Sequence, residues 1–218
     1  MAKKVLKRGI FMTFEGVEGC GKSTQAKIIH EDIVSEGYDC ILTREPGGTR
    51  VGEMIREILL RPENTALVDI AELLLFEASR AQIVEEVIRP ALRKKQVVIC
   101  DRFYDATTAY QGYGGGFNKA DLKRMNDFAT GGLKPDLTII LDIESQEGLR
   151  RACRFRGEDR MEAKELAYHR RVRKGYMDIA KKEPKRVRLI RTRDSLEETR
   201  QIIKKEVLGV LRRYSISG

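Results

Sequence analysis

Short, wholly apolar runs alternate along this chain with longer stretches whose apolar residues recur at helical spacing. Gly9-Ile10-Phe11-Met12-Thr13-Phe14 reads as a buried strand, and Lys22 to about Glu36 as a helix with Ala26, Ile29, Ile33 and Val34 on one stripe. Asp39-Cys40-Ile41-Leu42-Thr43 is a second strand, running into the loop Arg44-Glu45-Pro46-Gly47-Gly48. A helix follows from Val51 to about Leu60, stopped by Arg61-Pro62. The long helical pattern from Ile70 to Arg93 carries Pro90, which should bend or break it. Val97-Val98-Ile99-Cys100 is a strand closed by Asp101, and Tyr113-Gly114-Gly115-Gly116-Phe117 reads as a flexible loop. Leu137-Thr138-Ile139-Ile140-Leu141-Asp142 and Val187-Arg188-Leu189-Ile190 complete five strands. Ser195, with Glu198 three residues on, opens a closing helix by a capping-box pattern. Apolar strands separated by helices predict an α/β fold, a five-stranded parallel sheet with helices on both faces, in one domain spanning residues 1–218.

One junction in this pattern carries chemistry. Gly16-Val17-Glu18-Gly19-Cys20-Gly21-Lys22-Ser23 fits G-x-x-x-x-G-K-[ST] and lies between the first strand and the first helix. The glycines let successive backbone N–H groups turn toward phosphate oxygens, and the helix N-terminus adds an anion site. Gly16, Gly19, Cys20, Gly21, Lys22, Ser23 and Thr24 are therefore the candidate nucleotide-binding residues. Lys22 is placed for the β/γ-phosphates and the Ser23 hydroxyl for Mg²⁺. The ligand class is a nucleoside di- or triphosphate, ATP with Mg²⁺ in a kinase.

Charge and composition narrow the partners. The net charge is +9 and charged residues make up 34% of 218. Basic residues are densest from Arg150 to Arg193, but acids and helix-period apolar residues interrupt them, which fits a polyphosphate site with a solvated basic face better than a nucleic-acid stripe. Cys20, Cys40, Cys100 and Cys153 show no metal-ligand spacing, and His30 and His169 stand far apart. No apolar run approaches a membrane span, so the expectation is a cytoplasmic protein with neither nucleic acid nor membrane as partner.

The P-loop alone leaves several chemistries open. No guanine-reading Asn-Lys-x-Asp is present, and the third strand ends in Asp101-Arg102 rather than in the Asp-Glu of water-activating ATPases. Asp101 suits support of magnesium, and Arg102 suits a second phosphate opposite the P-loop. A kinase acting on another monophosphate, and a P-loop switch or nucleic-acid ATPase, stand as the competing readings. Glu18 is costly among phosphate-binding amides unless something offsets its charge.

The residues then resemble a family. Phe14-Glu15-Gly16, Thr43-Arg44-Glu45-Pro46-Gly47-Gly48-Thr49, Phe76-Glu77-Ala78-Ser79-Arg80, Asp101-Arg102-Phe103, Thr107-Thr108-Ala109-Tyr110-Gln111-Gly112 and Pro135-Asp136-Leu137-Thr138 stand in the order and spacing of the thymidylate kinases. The resemblance spans about Phe11 to Leu211 and implies a three-layer P-loop nucleoside monophosphate kinase fold that converts dTMP and ATP to dTDP and ADP. It implies that Phe76 stacks on thymine and Arg80 donates to its O4; without it, the two read first as a core phenylalanine and a surface arginine. It further implies that Thr107 contacts thymine N3, Tyr110 crowds the sugar 2′ position with Gln111 nearby, and Glu18 meets the 3′-hydroxyl. Arg44 and Arg102 become acceptor-phosphate clamps, and Pro46 takes the place of a conformationally special, cis proline. A lid at about residues 150–163 is implied, in the mostly bacterial subtype that carries its arginine there, because Val17, Glu18, Gly19 and Cys20 hold no base. Arg156 and Arg160 rank above Arg154 for that arginine. The segment between Arg156 and Arg160 is about one residue shorter than the common version. Adenine is placed, by position alone, near Thr192-Arg193-Asp194. Members form homodimers through helices flanking the sheet, which the resemblance extends to this chain.

Overall fold

The computed structural model describes residues 3–156, 160–161 and 164–216, without the side chains of residues 153–156. In chain order the elements are β1 (Ile10–Gly16), α1 (Lys22–Ser35), β2 (Cys40–Arg44), α2 (Arg50–Leu60) and α3 (Asp69–Ile83), a π-helical stretch (Val84–Ile88) and α4 (Arg89–Arg93). They continue with β3 (Val97–Asp101), α5 (Tyr104–Thr107), a second π-helical stretch (Thr108–Gly114), α6 (Lys119–Thr130), β4 (Leu137–Asp142), α7 (Ser145–Arg156), α8 (Leu166–Lys182), β5 (Val187–Arg191) and α9 (Leu196–Tyr214).

All described strand pairs are parallel, in the order β2-β3-β1-β4-β5. Successive residues of β1 point to opposite faces and feed two cores. Ile10, Met12 and Phe14 pack with Ala26, Ile29 and Ile33 of α1 and with Ile203 and Val207 of α9. Phe11 packs with Val98 and Cys100 against Ile83, Val84 and Ile88 of the α3–α4 side. This is the doubly covered parallel sheet that the near-continuous apolar strands predict. The register aligns Phe14 and Arg44 with Asp101, and Gly16 with Leu141. The carboxyl ends of β1, β2, β3 and β4 therefore open at one edge, where the strand order reverses and ligands bind in such sheets.

Three local expectations change. Val34 is exposed, because it follows Ile33 by one residue and so lies about 100° around the helix from the stripe. Pro90 neither ends nor breaks the helical run: the backbone widens into the π-helical turn ahead of it, and α4 continues with the proline in its first turn. The widened turn accommodates a residue with no N–H to donate. Tyr113 and Gly114 are helical rather than loop. Glycine is required there by close packing, since a Cβ on Gly114 would lie 2.6 Å from Tyr168 Cε2 and 2.9 Å from Val172 Cγ2. Gly114→Ala should thus destabilise by overpacking, about 1–3 kcal/mol, read as a fall of several degrees in Tm; an unchanged Tm would contradict that contact.

Candidate active site

β1 runs straight into the phosphate loop. Gly16, Gly19 and Gly21 all have positive φ, at 137°, 63° and 87°, which glycine adopts without a Cβ penalty. Gly19 also needs its missing side chain for space, because a Cβ would sit 2.0 Å from the Gly148 carbonyl oxygen of α7. α1 begins at Lys22 with no side chain capping it, so its first N–H groups face the loop. Lys22 is buried and donates to the Val17 carbonyl at 3.2 Å. Cys20 is buried, and burial raises its thiol pKa; Ser23 is half-buried and Thr24 exposed.

Opposite the loop, β3 ends in Asp101 and the chain turns through Arg102 at φ 70°, in the left-handed region. Its N–H donates to the Phe14 carbonyl of β1 at 2.9 Å. The Arg102 guanidinium then lies 4.8 Å over the Tyr110 ring and donates from Nη2 to Glu18 Oε1 at 3.3 Å. The Tyr110 hydroxyl donates to the same oxygen at 2.5 Å, and His169 Nδ1 stands 3.3 Å from Oε2. Burial would raise the Glu18 carboxyl, but the His169 ring and the charges of Arg102 and Lys22 overturn that and hold it down at about 2. Glu18 is thus ionised in place, which resolves the electrostatic objection its position raises. Asp101 Oδ1 is buried and has no hydrogen-bond partner among the described residues.

The third wall comes from α3, α5 and the second π-helical stretch. Phe76 is half-buried, and Arg80, one turn along α3, is only 2% exposed. Arg80 donates from Nε to Glu45 at 2.9 Å and from Nη1 to Glu77 at 2.8 Å and Asn126 at 2.9 Å. A surface arginine is excluded; this one is the hub of a buried network. Burial raises Glu45, against the pull of Arg80, to about 7. Thr107 and Tyr110 are buried on this wall, and the Glu45–Pro46 peptide is cis, with the Pro46 carbonyl accepting from Arg56 at 2.9 Å.

Some expected residues are otherwise engaged. Gln111 Nε2 donates to Glu72 at 2.8 Å. Arg160, expected over the transferring phosphoryl, instead donates to Glu72 at 2.5 Å and to the Leu59 carbonyl at 2.9 Å. Glu72 is a buried carboxylate on α3, and through it and the Leu59 carbonyl Arg160 ties residues 160–161 to α3 and the end of α2. Arg44 is exposed at the end of β2 and pairs with Glu53 at 3.0 Å. Arg193 is exposed, its N–H donating to Thr199 at 3.1 Å. The side chains of Arg154 and Arg156 lie outside the described residues. Sequence reasoning missed Glu72, Asn126, His169 and Tyr176. Of these, His169 and Tyr176 carried a readable signal, seven residues apart and so on one face of a helix that follows the lid.

A glycine loop at the end of a central parallel strand, an arginine facing it from the next strand and a helical segment leaning on it define a P-loop nucleoside monophosphate kinase. The profile of the thymidylate kinase family matches residues 14–203. The chain is 46% identical over 209 residues to a thymidylate kinase of Geotalea uraniireducens (strain Rf4), covering 93% of this chain and 98% of that protein. It is 47% identical over 200 residues to one of Roseiflexus sp. (strain RS-1), covering 86% and 88%. A crystal structure of thymidylate kinase from Ehrlichia chaffeensis superposes with a TM-score of 0.72 at 36% identity, covering 94% of this chain and 99% of that one. The chain belongs to the thymidylate kinase family and is a nucleoside monophosphate kinase, a phosphotransferase.

Glu18 supplies a pH test of the site. Its folded value is depressed below the ordinary 4.5, so it adds stability above that pH and loses it as pH falls toward 2. Glu18→Gln should lower the urea midpoint at neutral pH, and the deficit should shrink as pH drops below about 4.5. A deficit that stays constant with pH would refute the ionised cluster.

Proposed function

We propose that this chain transfers the γ-phosphoryl group of ATP to dTMP, giving ADP and dTDP, by direct in-line displacement. The observation that carries this reading is the buried Glu18 inside the phosphate loop, bonded by Tyr110 and Arg102 with the His169 ring 3.3 Å away. A P-loop that only hydrolyses ATP has no use for a buried carboxylate and aromatic facing its acceptor side. An acceptor with a sugar does: Glu18 is an acceptor for its 3′-hydroxyl, and Tyr110 fills the space a 2′-hydroxyl would need. The dTMP phosphate is already largely anionic near neutrality, its second pKa being comparable to the ~6 of a phosphorylated side chain. The enzyme therefore positions and neutralises rather than deprotonates.

Arg102 binds the acceptor phosphate, with Arg44 beside it. Guanidinium forks suit phosphate oxygens. Phe76 stacks on thymine, Arg80 Nη2 donates to O4, and Thr107 meets N3. Arg80 carries out this role pre-oriented, because its other nitrogens are fixed by Glu45, Glu77 and Asn126. Lys22 spans the β/γ-phosphates. The orphaned Asp101 Oδ1 and the Ser23 hydroxyl fit an Mg²⁺ site, and the cation bound there would neutralise charge on the phosphoryl oxygens. Since the loop's variable positions carry no base, the remaining positive charge is assigned to the lid, to Arg156 before Arg154. The bonds of Arg160 support a tethering role instead. Arg193 lies on the adenine side.

Two further assignments complete the reading. No helix among the described residues is long and apolar enough to cross a membrane, and we assign the enzyme to the cytoplasm. We also assign it a homodimeric state through α2, α3 and α6. α3 packs against both α2 and α6, and the three expose Val51, Met54 and Ile58 on α2, Ile70 and Leu74 on α3, and Phe128, 91% exposed, on α6. Apolar stripes this close mark an interface.

Three outcomes test these roles. Lys22→Ala should lower kcat by about 100-fold or more; near-normal turnover would refute the loop assignment. Phe76→Ala should raise the dTMP KM about 10-fold, from lost stacking and burial, with little effect on the ATP KM. Equal effects, or a panel of monophosphates in which dUMP, dCMP or dGMP is preferred, would refute thymine stacking. Met54→Asp should convert a dimer to a monomer in sedimentation velocity, and a native chain that sediments as a monomer would refute the interface.

A further inference from the structure

Glu15 is the penultimate residue of the central strand and is fully buried. None of the roles above uses it. A carboxylate there is costly unless its oxygens are satisfied. Both are. Oε1 accepts the Phe103 N–H at 2.7 Å, and Oε2 accepts the Tyr176 hydroxyl at 2.8 Å. The Tyr176 oxygen in turn accepts from Arg102 Nη1 at 3.4 Å. Glu15 therefore grips Arg102 from two sides: through the next backbone N–H and through its guanidinium.

The backbone grip answers a specific problem. Arg102 is one of two non-glycine residues with positive φ among those described. The left-handed region is disfavoured for a residue with a Cβ, so it persists only where surrounding bonds over-determine it. Here the Arg102 N–H is held by the Phe14 carbonyl and the following N–H by the Glu15 side chain. Both anchors lie on β1, the strand that continues into the phosphate loop. Bonding order along the relay is consistent throughout: Arg102 donates to Tyr176, and Tyr176 donates to Glu15. The neighbouring Asp105 is already engaged by Arg186, at 2.7 and 2.8 Å, and does not compete for Arg102.

We propose that Glu15 and Tyr176 are positioning residues for phosphoryl transfer, aiming Arg102 at the acceptor phosphate through the Phe103 N–H and the tyrosine hydroxyl. The inference rests on the assignment of Arg102 to that phosphate. Burial pushes the Glu15 carboxyl up to about 8; above that pH, Glu15→Gln keeps the shape and the acceptor for Phe103 but places an amide nitrogen, which donates, where the carboxylate accepted from Tyr176. Tyr176→Phe breaks the relay at its middle.

A double-mutant cycle tests it, with kcat and both KM values measured and folding checked by near-UV circular dichroism. Assayed at about pH 9, where Glu15 is ionised, Glu15→Gln should lower kcat about 10- to 100-fold, the scale of a misplaced catalytic contact, and raise the dTMP KM while leaving the ATP KM within twofold. In an Arg102→Ala background, assayed at high enzyme concentration, the same substitution should change kcat less than twofold. Equal penalties in the two backgrounds, or an ATP KM that rises as much as that of dTMP, would overturn the relay and leave the Arg102 assignment standing. Near-native turnover of Arg102→Ala alone would remove that assignment and the inference with it. Should Glu15→Gln fail to fold, Tyr176→Phe takes its place in the same cycle with the same expected and overturning results.

Discussion

A carboxylate inside a phosphate-binding loop is the constraint on which this site depends. Glu18 sits among amides arranged for anions, and it stays ionised because Arg102, Lys22 and the His169 ring outweigh its burial. Each partner must be delivered by a different element: Arg102 by the end of β3, Tyr110 by the second π-helical stretch, His169 by α8. The parallel register makes this possible, since Phe14 of β1 stands beside Asp101 of β3. The loop and the arginine that faces it are then neighbours by sheet geometry.

The same logic recurs around Arg80. Arg80 is buried deeply enough that its charge must be matched, and the Glu45–Glu77 pair does so while the neutral Asn126 amide oxygen accepts a further hydrogen bond. Breaking such a cluster by removing one partner is costly, because the remaining charge stays buried. Glu45 precedes Pro46 in the loop after β2, and Ser79, next to Arg80, accepts the Gly47 N–H at 3.1 Å. α3 thus carries Phe76 and also holds the loop that follows β2.

The strands and their order of appearance were legible because a sheet covered on both faces leaves short apolar runs bounded by turn residues. The P-loop was legible because its glycines answer backbone geometry: Gly16, Gly19 and Gly21 all adopt positive φ. What escaped was long-range pairing. Nothing near Arg160 in the chain marks Glu72 as its partner, 88 residues away, and Arg80 reads as a surface arginine until the sheet brings Glu45 beneath it. His169 was set aside for want of ligand spacing, although its partner is a carboxylate far upstream. Charge patterns along a chain report solvated faces well; they do not report which charges a fold will bury together.

The two π-helical stretches show the difference between local and tertiary causes. The first stands just before Pro90, whose missing N–H gives a local reason for a widened turn. The second, Thr108–Gly114, contains no proline. Its cause is packing: Gly114 admits Tyr168 and Val172, and Gly175 of α8 in turn admits Tyr113, whose Cδ2 would lie 2.8 Å from a Cβ there. The widened turn lets adjacent residues serve separate walls, Tyr110 reaching Glu18 while Gln111 reaches Glu72. The Tyr168 hydroxyl donates to the Tyr110 carbonyl at 3.1 Å and so bonds the stretch to α8. Gly114, which reads as part of a flexible loop, is the condition for the tight packing of this stretch against α8.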